Sequence, residues 1–322
     1  MLRDMASKGW ALPLALAVTA CGGGGGGAVD AGGGGDTDAG TAIMLPVLST
    51  GTMANPTMGT PDHACAGTRT QPTPGAELDV NFQLRYFGEG SAARNTRVWF
   101  FTDNVIRDTC EPANCQEFTS AMDTGNAMVR AAASSWYAYR VFARMGPTAG
   151  TTVVDSVQYN EEAPAASGGS VEANAVAQQT LNLIPAVLGF MREPGRALVA
   201  GEVQDCAGSP MYGATIRMYD GDAEIPEGEL NADPHYRFFN GDSSPDASQM
   251  WTNSDGLYAA ANIPPPAAGG LVRIEAWGRR TEADTAPVRL GCEAARVLVD
   301  GVTIVNIGPE RSDYPAGHPC AR

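Results

Sequence analysis

From Ala76 onward the chain is a succession of short apolar or alternating runs, each cut off after about 8–15 residues by Gly, Pro, Asn or Asp. Short apolar or alternating runs between turn residues at these intervals argue for antiparallel strands, so the chain is expected to be all-β. In the first half the runs are Leu78–Phe87, Arg97–Thr102, Ala127–Ala132, Trp136–Arg144 and Thr151–Tyr159. In the second half they are Ala197–Asp205, Ala214–Tyr219, Leu257–Ala261, Leu271–Trp277, Pro287–Leu290, Arg296–Val299 and Val302–Ile307. Trp136, Ala138, Arg140 and Phe142 alternate with Tyr137, Tyr139 and Val141, which puts large rings on both faces and implies a second sheet packed on the first. A helix is expected only over about Ala175–Leu183, with Asn174 as its N-cap and Pro185 ending it or opening a second turn.

The N-terminus reads as an address. Arg3 and Lys8 precede the apolar run ALPLALAVTA, and Cys21 follows at once. Ten helical residues cover about 15 Å, half of a bilayer core, so the run does not span a membrane. Val18-Thr19-Ala20-Cys21 resembles the lipobox of bacterial lipoproteins. That resemblance implies a lipidated Cys21 as first mature residue, membrane attachment through this anchor, and, with Gly22 rather than Asp after the cysteine, an outer-membrane location. Residues 1–20 are then the signal peptide. Residues 21–62, with Gly22–Gly27, Gly32–Gly35, Pro46, Pro56 and Pro61, form a disordered Gly-rich tether with a reach of about 35 Å.

Seven cysteines less Cys21 leave Cys65, Cys110, Cys115, Cys206, Cys292 and Cys320, an even set that in an exported chain suggests three disulfides out of 15 possible connectivities. Proximity favours Cys110 with Cys115, and Cys206 with Cys292 around the second half, leaving Cys65 with Cys320 to join the ends. His63 and His318 each lie two residues before a cysteine, so a Cys2His2 zinc site is the alternative if the ends meet.

In the second half, Gly201-Glu202-Val203-Gln204-Asp205, Ala207-Gly208, Tyr212-Gly213-Ala214-Thr215-Ile216, Thr252-Asn253-Ser254-Asp255-Gly256-Leu257-Tyr258 and Asn262-Ile263-Pro264 together resemble a carboxypeptidase-regulatory-like module. That resemblance implies a transthyretin-like, Ig-like β-sandwich. Arg97–Phe101, Thr119–Gly125 and Trp136–Ala143 echo the Ala214–Tyr219, Thr252–Gly256 and Leu271–Trp277 segments in order. The expected architecture is thus a first β-sandwich module over 63–165, a helical linker over 166–195 and a second module over 196–322.

No G-x-S-x-G elbow, HExxH helix, Walker loop or GxGxxG following a strand occurs, and the only lysine is Lys8. Gly241-Asp242-Ser243-Ser244 sits in a polar loop and reads as a turn. A net charge of −15 repels phosphate backbones, so no nucleic-acid partner is expected. Neither a cofactor nor a metal is expected, and catalysis is not. The long connection from Asp220 to Met250, followed by Trp251, offers Tyr236, Phe238 and Phe239 for contact with a protein or glycan, or as a satellite core. Asp220, Asp222, Asp233, Asp242 and Asp246 in the same stretch fit no calcium-loop spacing. A non-enzymatic, surface-anchored interaction protein is the leading expectation; a carbohydrate- or peptide-binding accessory module and an unrecognised hydrolase are the alternatives.

Overall fold

The structure, a computed structural model, describes residues 61–144, 152–240, 244–267, 270–281 and 283–321. The signal, Cys21 and nearly all of the tether lie outside the described residues. Sixteen strands and one α-helix form within them, so the fold is all-β.

The same strand arrangement occurs twice. In the first half, β1 (Glu77–Tyr86) pairs antiparallel with β4 (Asn126–Ala132) and parallel with β7 (Ser170–Ala175). β2 (Arg97–Phe101) pairs with β3 (Cys115–Thr119) and β5 (Trp136–Val141), and β5 pairs with β6 (Ser156–Glu162). In the second half, β8 (Ala197–Glu202) pairs antiparallel with β13 (Leu257–Ile263) and parallel with β16 (Val302–Val305). β9 (Thr215–Asp220) pairs with the short β10 (Ala223–Glu224) and with β14 (Val272–Gly278), and β14 with β15 (Val288–Ala295). Orders β3-β2-β5-β6 and β10-β9-β14-β15 are therefore equivalent, as are β4-β1-β7 and β13-β8-β16. β2 and β9, and likewise β5 and β14, occupy equivalent places, as the sequence echo has them.

The halves are not separate bodies on a linker. β16 also pairs parallel with β6, Val302 opposite Ser156 through Val305 opposite Tyr159, and so merges one sheet from each half into a nine-stranded sheet. Side-chain alternation on this sheet serves both faces. On one face Val157, Tyr159, Val199 and Val305 join the β9-β14-β15 core. On the other, Phe100, Tyr137 and Tyr139 pack beneath β1, β4 and β7, with Phe82 edge-on to Phe100 at 5.9 Å and to Tyr139 at 5.3 Å.

The expected linker is instead part of that second face. Residues 170–175 form β7, because β1 lies at the middle of its sheet and takes them as its second partner. The helix, α1 (Gln178–Leu188), starts later than the Asn174 cap implies; its N-cap is Ala177, without a side-chain cap bond. Leu181, Pro185 and Leu188 form its buried stripe against Leu198, Phe239, Leu257 and Val302. Pro185 stays inside the helix, which ends at Gly189 in the left-handed region (φ 84°), where Phe190 N–H donates to Pro185 O.

Other expectations are corrected. Arg296–Val299 is not a strand; β15 runs through to Ala295, and the Arg296 N–H donates to the Tyr159 hydroxyl at 3.0 Å. The Asp220–Met250 connection is not one long loop, since β10, β11 (His235–Phe239) and β12 (Pro245–Asp246) lie within it and β11 extends the nine-stranded sheet beside β13. Cys110 pairs with Cys115, but Cys65 pairs with Cys206 and Cys292 with Cys320. The cause is local. The N-terminal strap meets the β8 end, where Cys206 N–H donates to Asp62 O, while the C-terminal arm lies along β15. Cys206 and Cys292 therefore serve different partners.

Candidate functional site

Beside the three-stranded sheet, α1 roofs a groove of about 270 Å³ on the nine-stranded sheet. Leu183, Val187, Phe239 and Ala259 line it, with Leu183 38% and Val187 50% exposed. Helix geometry explains the exposure: Leu181 and Leu188 point into the sheet, and Leu183 and Val187 fall on the flank beside the groove.

Phe87, Ile184, Leu198 and Ala200 line both this groove and a second recess of about 250 Å³, so the two adjoin. The recess has a different chemistry. Glu161 and Gln158 from β6, Glu172 and Asn174 from β7, and Glu202 from β8 line it. A bulge at Asn160 (φ 63°) puts Gln158 and Glu161 on one face of β6, with Tyr139 opposite Gln158. A hydrogen-bond chain runs through them: the Tyr139 hydroxyl donates to Gln158 Oε1, Gln158 Nε2 donates to Glu161, and Asn174 N–H donates to the Tyr139 oxygen at 2.6 Å. Glu202 accepts from Gln204 Nε2 at 2.9 Å.

Both carboxyls are poised near neutrality. Burial pushes Glu161 up to about 7 against the bond from Gln158, and burial pushes Glu202 up to about 7 against the bond from Gln204. Each retains some contact with the recess and is desolvated without being sealed off. Among the described residues no ion pair reaches Glu161, Glu172 or Glu202, and no Arg or His lines either part of the site. Glu161, Gln204 and Asn306 also border a further, adjoining polar recess that Arg69, Trp136 and Glu293 line. Glu293 is raised to about 7 by burial, although Arg311, Asn160 and Arg69 favour its ionised form.

The residues singled out by sequence lie elsewhere or inward. Tyr236 donates its hydroxyl to Ile225 O at 2.6 Å, and Phe238 is 4% exposed in the core opposite Tyr258. Phe239 alone reaches the groove. Trp251 is half-buried, its indole N–H 3.2 Å from the Tyr212 hydroxyl. Tyr236 and Phe238 thus turn inward, while Phe239 lines the groove and Trp251 lies half-buried beside Tyr212. His63 and His318 flank cysteines in two different disulfides, which removes the thiolates of the zinc alternative. Asp222 reaches Arg273 at 3.6 Å, Asp233 accepts from Leu230 N–H and Asp246 from Ser248 N–H, and among the described residues no acidic or His group gathers as a metal set. Asp242, with Gly241 and Ser243, lies outside the described residues.

Sequence reasoning passed over Glu161 and Glu202. A signal was present: along β8, Leu198, Ala200 and Glu202 share a face, so a carboxylate stands where alternation calls for an apolar side chain.

No family model matches the chain, and no curated protein matches it. Among solved structures, it is similar to the shaft pilin SpaA of Lactobacillus rhamnosus GG, at 11% identity over 73% of this chain and 98% of that one, with a TM-score of 0.21. The major pilin of Streptococcus pyogenes aligns at 11% over 74% and 99%, TM-score 0.22. The Bacillus anthracis TIE protein aligns at 11% over 73% of this chain, TM-score 0.22, and the chain spans about a third (34%) of its length.

Proposed function

We propose that this chain is an exported, non-enzymatic binding protein of the cell envelope, held at the outer membrane by lipid on Cys21 and presenting two β-sandwich modules, the second carboxypeptidase-regulatory-like, fused through β6 and β16, to a partner. The observation that carries the export reading is the disulfide set. All six cysteines of the described region are paired, which suits an oxidising compartment. The charged, apolar and small-residue order before Cys21 supports the anchor, and the motifs around Gly201, Gly213 and Asp255-Gly256 support the module assignment. A groove and recess with no thiol or imidazole in their linings offer no nucleophile–imidazole pair for covalent chemistry, and their joined apolar and polar walls suit a bound ligand.

Intact mass of the membrane-extracted chain and of Cys21→Ala tests the reading. A lipid-sized increment present in the first and lost in the second, with three disulfides in both, supports it. An unlipidated chain with free thiols, recovered from the cytoplasm, contradicts it.

A further inference from the structure

We propose that the groove under α1 and the adjoining carboxyl recess form one site for a small amphiphilic cation: an organic amine whose apolar body lies beneath the helix and whose ammonium group sits among Glu161, Glu172 and Glu202. The inference specifies the ligand of the binding protein argued above and does not depend on the anchor.

Three observations converge. Phe87, Ile184, Leu198 and Ala200 border both volumes, so one ligand can occupy both. Together the volumes, about 270 and 250 Å³, reach the range of small-molecule sites. The lining is graded, with Leu183, Val187 and Phe239 at one end and, at the other, three carboxylates that no ion pair among the described residues reaches, Arg69 lying in the recess that adjoins Glu161. Sugars would leave the apolar end unused, and anions would face Glu161, Glu172 and Glu202. An ammonium group instead supplies the charge that this desolvated recess lacks.

Proton linkage follows from the geometry. Glu202 also feels Asp255 and Glu161, Glu161 is bonded to Gln158, and Glu172 and Glu89 are the remaining acidic groups along the site. A bound cation favours the ionised forms of Glu161 and Glu202, so amine binding releases protons and strengthens as pH rises from 6 to 8.

The test is titration calorimetry on the full chain carrying Cys21→Ser, disulfides intact and free of detergent, with octylammonium, octanol and methylammonium as probes. Octylammonium is expected to bind at least about tenfold tighter than either of the others. The Glu161→Gln/Glu202→Gln double variant should lose about tenfold for octylammonium with octanol unchanged, and Val187→Ser should weaken both. Glu172→Gln, at an exposed position, should weaken the amine severalfold and serves if the double variant does not fold. Equal affinity for amine and alcohol, amine binding indifferent to these carboxamide substitutions, or no binding by any probe overturns the site. The mass measurement above is untouched by any of these results.

Discussion

At the level of single residues the most constrained charge is Arg289. It is 7% exposed, donates through Nε to Glu310 at 2.8 Å and through Nη1 to Glu275 at 3.0 Å, and reaches Cys320 O at 2.9 Å. Arg289→Met removes the buried cation that binds Glu310 and Glu275, leaving Glu275 only Arg273 at 3.2 Å, and is expected to cost about 3 kcal/mol in urea unfolding. Gly201 illustrates close approach rather than turn chemistry. A Cβ there would lie 1.9 Å from Val305 O and 2.9 Å from the Tyr258 hydroxyl, which itself donates to Val305 O. Gly201→Ala should therefore push β8 from β16 and destabilise by roughly 1–3 kcal/mol. The buried carboxyls set the pH response. Glu161, Glu202 and Glu293 titrate near 7 when folded and lower when unfolded, so the folded state holds more protons between about pH 4.5 and 7 and stability falls as pH rises through that window. Asp300, held low chiefly by Gly195 N–H, acts oppositely, contributing stability that is lost only as pH falls below the ordinary Asp range. Thermal melts should show Tm highest near pH 5 and lower by roughly 5 °C or more at pH 8; a Tm rising from pH 5 to 8 would contradict these burials.

Among the elements, those rich in β-branched and aromatic residues or alternating in polarity were legible from sequence: Glu77–Tyr86, Arg97–Phe101, Trp136–Val141 and Thr215–Asp220 lie within a residue or a few of the expected runs. Strands that borrow their stability from a neighbour were not. Ser170–Ala175 has the composition of a helix start and becomes a strand through parallel pairing with β1, a contact between segments about 90 residues apart. His235–Phe239 was hidden by the Gly, Pro and Asp around it. The carboxyl recess was hidden for a similar reason, since Glu161, Glu172 and Glu202 meet only because β6, β7 and β8 come together around it. The C-terminal arm behaves as an edge cover. Glu310 N–H donates to Leu290 O, the Tyr314 hydroxyl donates to Cys292 O, and Cys320 is bonded to Cys292, so the arm occupies the side of β15 that in β6 is taken by β16. A Cys292→Ser/Cys320→Ser variant should lose about 3 kcal/mol and expose a strand edge, giving concentration-dependent oligomers in size-exclusion chromatography; a monomer of unchanged stability would show that the arm is held without the bond.

For the whole molecule, the duplicated strand order was half visible in the sequence echo, but its consequence was not. Composition and motif spacing pointed to two sandwiches in series, whereas β16 docks on β6 and the Arg296 guanidinium reaches Ile106 O and Asp108 in the first half. Pairing between residues about 146 apart leaves no local trace in either strand. One sheet then passes through both cores, and α1 and the proposed site sit where the halves meet. Native-state hydrogen exchange across a denaturant series tests this fusion most directly. The slowest amides of β5 in the first half and of β13 in the second are expected to share one opening free energy and one denaturant slope, as a single cooperative unit. Two distinct free energies, with one half opening while the other stays protected, would contradict it.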